Sequence, residues 1–171
     1  RIDVDCIDTF GHKTSVPLTL QNRDRISKPE FYPRTHVVLV GIDRYQEESS
    51  EKNHTGWQPL RQAIKDVEAL RDLFVQQKLS DPNDITLLIN EQATRSRVLK
   101  ILDYLMNEDN VGANDRVVIF FAGHTYVGNF DDPSTAHLIP YDGKYQPDGK
   151  PIPSDVRGSW ISRNDLMASI Q

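Results

Sequence analysis

Three runs, "HVVLVGI" from His36, "DITLLIN" from Asp84 and "DRVVIFFA" from Asp115, are almost unbroken stretches of apolar side chains. A strand with one wet face alternates apolar and polar residues. A strand without alternation must be covered on both faces, as happens mainly in parallel sheets flanked by helices. Between the runs the period changes. Leu60, Ala63, Ile64, Val67, Leu70 and Leu73 recur at helical spacing, with Pro59 placed as a first-turn residue. Val98, Ile101, Leu102 and Leu105 mark a second helix, with Thr94 as its N-cap. The order strand–helix–strand–helix–strand predicts an α/β fold with a mostly parallel central sheet and right-handed crossovers. A chain of 171 residues is long enough for one substantial core.

The flanks read differently. Ile2, Val4 and Cys6 alternate with Asp3 and Asp5, Ile7 breaks that register, and Val16, Leu18 and Leu20 alternate again, which predicts a short hairpin turning at Gly11–Lys13. "QNRDRISKPEFYPR" is polar and carries Pro29 and Pro33, the composition of a linker. Residues 1–34 thus form one unit, hairpin plus linker, the expected tail of an upstream region that could recruit or restrain the rest of the chain. Residues 35–171 form the other. A Glu/Ser/Asn-rich stretch at 46–56 is long for a connection and is expected to be a mobile loop beside the cleft. After the third run, "HLIPYD" reads as a short strand, "QPDGKPIPSD" as turn chemistry, and "ISRNDLMASI" as the beginning of a helix. The chain starts without a methionine inside a strand pattern and stops inside a helical one, so it reads as a piece of something longer.

Composition narrows the function. Acidic and basic residues are interspersed and the net charge is −5, which gives no footprint for nucleic acid. No apolar run approaches the roughly 20 residues of a membrane span, and no targeting segment is visible. A single cysteine, Cys6, excludes an intrachain disulfide and a cysteine-rich zinc site, and fits a reducing, cytoplasmic setting. His12, His36, His54, His124 and His137 show no paired ligand spacing for zinc. "AGHTYVG" lacks the glycine spacing of a dinucleotide fingerprint, there is no Walker lysine pattern, and no G-x-S-x-G elbow is present.

Open parallel sheets bind ligands beyond the carboxyl ends of their strands, where strand order reverses. With the first of the three runs central, that point lies between Asp43 and His124. The expectation is an imidazole at the open rim of the sheet. A loop histidine with no such task is the plain alternative.

"VVLVGIDRY", "LRQAIKDVEALRDLF", "DITLLINEQATRSRVLKIL", "NDRVVIFFAGH", "HLIPYD" and "WISRNDL" together resemble, in order and spacing, the caspase-like cysteine peptidases, closest to the prokaryotic caspase and metacaspase branch. The resemblance covers residues 35–171, most of the large-subunit half of that domain, and implies a caspase-like three-layer sandwich. It implies a cysteine–histidine dyad endopeptidase acting on protein or peptide substrates, with His124 as the histidine and the backbone at Gly123 and Thr125 at the oxyanion site. Asp66 matches the helix aspartate that lines the metacaspase pocket for the residue before the cut, which implies cleavage after Arg or Lys. Leu60 stands where Asp-specific caspases carry a pocket arginine. Asp43 is placed to order the site or touch substrate, and Asp142 matches the family's Pro-x-Asp, where it fixes a loop near the pocket.

The family's nucleophile lies on the strand after the helix begun by "ISRNDLMASI". The cysteine is therefore expected from the remainder of the domain, and Cys6, outside the resemblance, reads as a structural thiol. Where the family has glycine after its histidine, this chain has Thr125, which keeps the N–H but not glycine's backbone freedom. No cofactor is expected. Calcium in metacaspases is held by several acidic residues; here Arg163 replaces one, and Asp131 and Asp132 are too few for an ion that wants about six to eight oxygens. The competing reading is a caspase-like scaffold or regulatory module without catalysis.

Overall fold

The computed structural model describes residues 2–7, 13–18, 33–49, 55–107, 109–128, 135–147 and 151–168. Strands β1 (Ile2–Ile7) and β2 (Lys13–Leu18) pair antiparallel with Cys6 opposite Thr14, the hairpin read from their alternation. Leu20, most of the linker, residues 50–54 and the Asp131–Asp132 pair lie outside the described residues.

The three apolar runs become β3 (Thr35–Gly41), β4 (Ile85–Ile89) and β5 (Arg116–Ala122), parallel and in the order β4-β3-β5. Every residue of β3 is buried, as a central strand without alternation requires. Strands β4 and β5 flank it and are mostly half-buried. Strand β1 lies alongside β5 without joining the sheet.

The first crossover runs from central β3 to β4 and the second from β4 past β3 to β5, and right-handed connections in opposite directions place the two connecting helices on opposite faces. Helix α1 (Ala63–Gln76) inserts Val67 and Phe74 against Val37 and Leu39 on one face. Helix α2 (Arg95–Met106) packs Val98, Leu102 and Leu105 on the other, with Val38, Val40 and Leu88. Odd and even residues of β3 thus feed separate cores in a three-layer arrangement. Each fully buried aliphatic side chain contributes roughly 1.5–3 kcal/mol. At Gly41 the crossing is tightest, since a Cβ there would lie 2.6 Å from a methyl of Val67 and 2.9 Å from the Ala63 carbonyl.

Helix α1 begins later than its periodicity predicts. Pro59 and Leu60 precede it, the Leu60 N–H donating to the Asp43 carbonyl at 2.7 Å. Thr94 caps α2 as expected, accepting from the Arg97 N–H at 3.3 Å. A second, antiparallel sheet, β6 (Thr125–Val127), β7 (Ala136–Leu138) and β8 (Ile161–Ser162), sits beyond the end of β5. "HLIPYD" therefore supplies a strand to this small sheet and not to the main one. Two short helices, α3 (Ser154–Arg157) and α4 (Arg163–Ala168), complete the described chain. Among the described residues no helix is long and apolar enough to cross a membrane.

Candidate active site

His124 lies two residues beyond β5, beside the carboxyl end of β3, on the side the topology predicts. Its enclosure corrects the open-rim expectation, because the residue is only 6% exposed. Tyr45, from the loop after β3, and Trp57 both pack on the imidazole, with ring centroids 5.1 and 5.3 Å away. Trp57 is itself fixed by its indole N–H, which donates to the Gly143 carbonyl at 2.8 Å, and by backbone bonds to Glu47 and Ser49. The polar stretch expected to be a mobile loop thus has a firmly held base, with Tyr45 and Ser49 buried.

The imidazole Nε2 lies 2.7 Å from the Gln58 carbonyl oxygen. A carbonyl can only accept, so Nε2 carries the hydrogen and Nδ1 is left with its lone pair. Among the described residues Nδ1 has no hydrogen-bond partner, yet it is not sealed from solvent. Burial pushes the His124 pKa below its ordinary value, opposed by the bond to Gln58. The ring is therefore neutral at pH 7, with one basic atom.

The backbone around it is equally constrained. The His124 N–H donates to the Tyr45 hydroxyl at 2.6 Å, and the His124 carbonyl accepts from the Ile139 N–H at 3.0 Å. In an antiparallel ladder the next pair inward, Thr125 with Leu138, is then the non-hydrogen-bonded one. The Thr125 N–H consequently points away from β7. At Gly123 a Cβ would sit 2.8 Å from the Tyr45 oxygen and 2.9 Å from the Phe121 ring, so glycine is required for space.

The three aspartates separate. One oxygen of Asp43 accepts from the Ala63 N–H at 2.9 Å, capping α1 from outside, since Gln62 offers no side-chain cap. Asp142 does the same for α2, accepting from the Arg95 N–H at 2.8 Å. Both carboxylates are set at helix N-termini, where negative charge is favoured. Asp66, in the first turn of α1, is exposed, and its carboxylate has no partner among the described residues. Neither Lys65 nor Arg61 forms an ion pair with it. The structure brings Gly123, His124 and Thr125 together and places Asp43 and Asp66 at one helix end, with Asp142 at another.

Sequence reasoning missed Tyr45, Trp57 and Gln58. The available signal was a pair of aromatic residues in an otherwise polar loop. It also missed Asn90, a buried residue with left-handed backbone (φ 45°) whose Oδ1 accepts from the Asp43 and Arg44 N–H groups at 2.9 and 3.1 Å. Asparagine tolerates that conformation. A cleft of about 860 Å³ lies beside the small sheet, lined by Arg95, Tyr126, His137, Arg157, Trp160 and Asp165 among others, but His124 is not in its wall. Among the described residues no cluster of metal-ligating side chains occurs.

A three-layer α/β fold with a histidine held at the switch point of a parallel sheet belongs to the class of open parallel-sheet proteins, which bind ligands beyond the carboxyl ends of their strands. The family model for the caspase domain, Peptidase_C14, matches residues 34–171, and the chain belongs to that family of cysteine peptidases. It is similar to the crystal structure of protein GSU0716 from Geobacter sulfurreducens, with a TM-score of 0.54 and 17% identity, a likeness of fold. That match covers 80% of this chain and 44% of the other, so this chain spans less than half of its structural neighbour. A comparison with curated proteins found no match.

Proposed function

We propose that this chain supplies the histidine half of a cysteine–histidine dyad in an endopeptidase that cleaves after Arg or Lys. The observation that carries the reading is His124: neutral, fixed as the Nε2–H form by Gln58, with Nδ1 lacking a hydrogen-bond partner among the described residues. Cys6 lies outside the family match, so the thiol comes from a segment beyond these 171 residues. Nδ1 takes the thiol proton and the thiolate attacks the scissile carbonyl carbon. The resulting oxyanion receives the Thr125 N–H, and the imidazolium returns its proton to the leaving amine. Water then hydrolyses the thioester. Asp66 supports basic specificity as an exposed carboxylate without a partner among the described residues, available to a guanidinium or ammonium. Asp43 and Asp142 order the helices around the site.

A catalytically silent scaffold is the second reading, favoured by Thr125 in place of glycine and by the ring's enclosure. The test is hydrolysis of fluorogenic peptides ending in Arg, Lys or Asp by the full-length protein and its His124→Ala and Asp66→Asn variants. The proposal expects Arg and Lys peptides to be cut, loss of turnover in His124→Ala, and a raised KM in Asp66→Asn. Equal rates in wild type and His124→Ala would remove the dyad, and preference for the Asp peptide would remove the specificity.

A further inference from the structure

Tyr45 takes no part in the chemistry proposed above, yet it is only 3% exposed in a loop that reads "DRYQEESS". Its hydroxyl oxygen accepts the His124 N–H at 2.6 Å, and its ring lies against the imidazole. The same oxygen occupies the space that any side chain at Gly123 would need. Burial raises the phenol's pKa, so the group stays neutral.

We propose that Tyr45 is a positioning residue for His124, a role that rests on the peptidase reading for its functional meaning. His124 has three anchors: Tyr45 on its N–H, Ile139 on its carbonyl and Gln58 on its ring. The carbonyl and ring anchors leave the Gly123–His124 peptide free to rock; the phenol oxygen stops it. Without that acceptor a buried N–H loses its partner, and rotating the peptide to find another shifts the imidazole against Gln58 and re-aims the Thr125 N–H. Tyr45→Phe isolates the effect, because it keeps the ring over the imidazole and removes only the oxygen.

The experiment pairs kinetics on the full-length protein with nitrogen-15 NMR of its histidines. Tyr45→Phe should lower kcat about 10- to 100-fold on an Arg peptide while KM stays within about twofold. In wild type, His124 should be a single Nε2–H tautomer with a slowly exchanging N–H; in the variant that N–H should exchange at least about tenfold faster and the tautomers should mix. A purely structural role would lower the melting temperature while leaving kcat and tautomer unchanged, and that result overturns the proposal. If wild type cuts no peptide, the peptidase reading fails instead, and the spectra alone decide Tyr45: altered exchange and tautomer support it, unaltered ones refute it. If Tyr45→Phe does not fold, the wild-type exchange rate decides, a fast His124 N–H refuting the anchor and a slow one supporting it.

Discussion

Asp43 can be tested as a helix cap separately from any contact with substrate. Its Oδ1 holds the Ala63 N–H at 2.9 Å in a partly buried setting, and Gln62 provides no substitute. Asp43→Ala removes a charge-assisted bond at a helix N-terminus, a loss of about 2 kcal/mol. For a chain of this length each kcal/mol shifts the melting temperature by roughly 2–4 °C, so the expected drop is about 4–8 °C. Asp43→Asn keeps an acceptor and loses only the favourable charge at the helix end, about 0.3–1 kcal/mol, and should melt within about 4 °C of wild type. Thermal and urea denaturation monitored by circular dichroism measure both. If Asp43→Ala melts with wild type, the cap is energetically idle. If Asp43→Asn falls as far as Asp43→Ala, the carboxylate acts through its charge elsewhere. A substrate contact predicts the reverse pattern: Asp43→Asn with normal melting and a raised KM for Arg peptides.

Gly123→Ala forces a Cβ against the Tyr45 oxygen and the Phe121 ring and should cost about 1–3 kcal/mol in urea denaturation; an unchanged midpoint would refute the close approach. The His124 imidazole, pushed down by burial, should titrate below about 6.5 by NMR. Its contribution to stability is present above that pH and lost as pH falls through the folded pKa, because the unfolded chain takes up the proton first. At the opposite end of the sheet His36 Nε2 meets Asp115 at 3.2 Å, both side chains buried. Burial pushes Asp115 up, but hydrogen bonds from the Gly112 N–H, His36 and the Arg34 N–H outweigh it and hold the carboxyl below its ordinary value. The stability this confers is present above about pH 4 and lost below it, so Asp115→Asn should flatten the acid limb of a stability–pH profile.

The main sheet was legible because burial on both faces leaves a mark on every residue of a strand. Thr35–Gly41 could not alternate and did not. Helix periodicity was legible for the same reason, as Val67 and Phe74 face one core and Val98 and Leu102 the other. What the sequence hid depends on partners far along the chain. The start of α1 is set by Asp43, 20 residues before Ala63, and the start of α2 partly by Asp142, 47 residues after Arg95. Periodicity contains no term for either. The position of His124 came from topology, but its enclosure did not, because Tyr45 and Trp57 sit in segments whose composition reads as solvated loop. Burial there is created by the site and not by a repeating pattern.

Under the proposed dyad chemistry, that enclosure answers a chemical requirement. A base that takes a proton from a thiol must be neutral beforehand, must present one nitrogen, and must not turn. Packing Tyr45 and Trp57 against the imidazole meets the first condition by desolvation, and the Gln58 carbonyl meets the second by fixing the hydrogen on Nε2. The third falls to the backbone, where the Tyr45 hydroxyl and the Ile139 N–H grip His124 from either side. None of these groups is an acid or a base near neutrality, so pH alters none of them across the working range. Nδ1 is left without a hydrogen-bond partner among the described residues, and the proposed thiol has to reach His124 there.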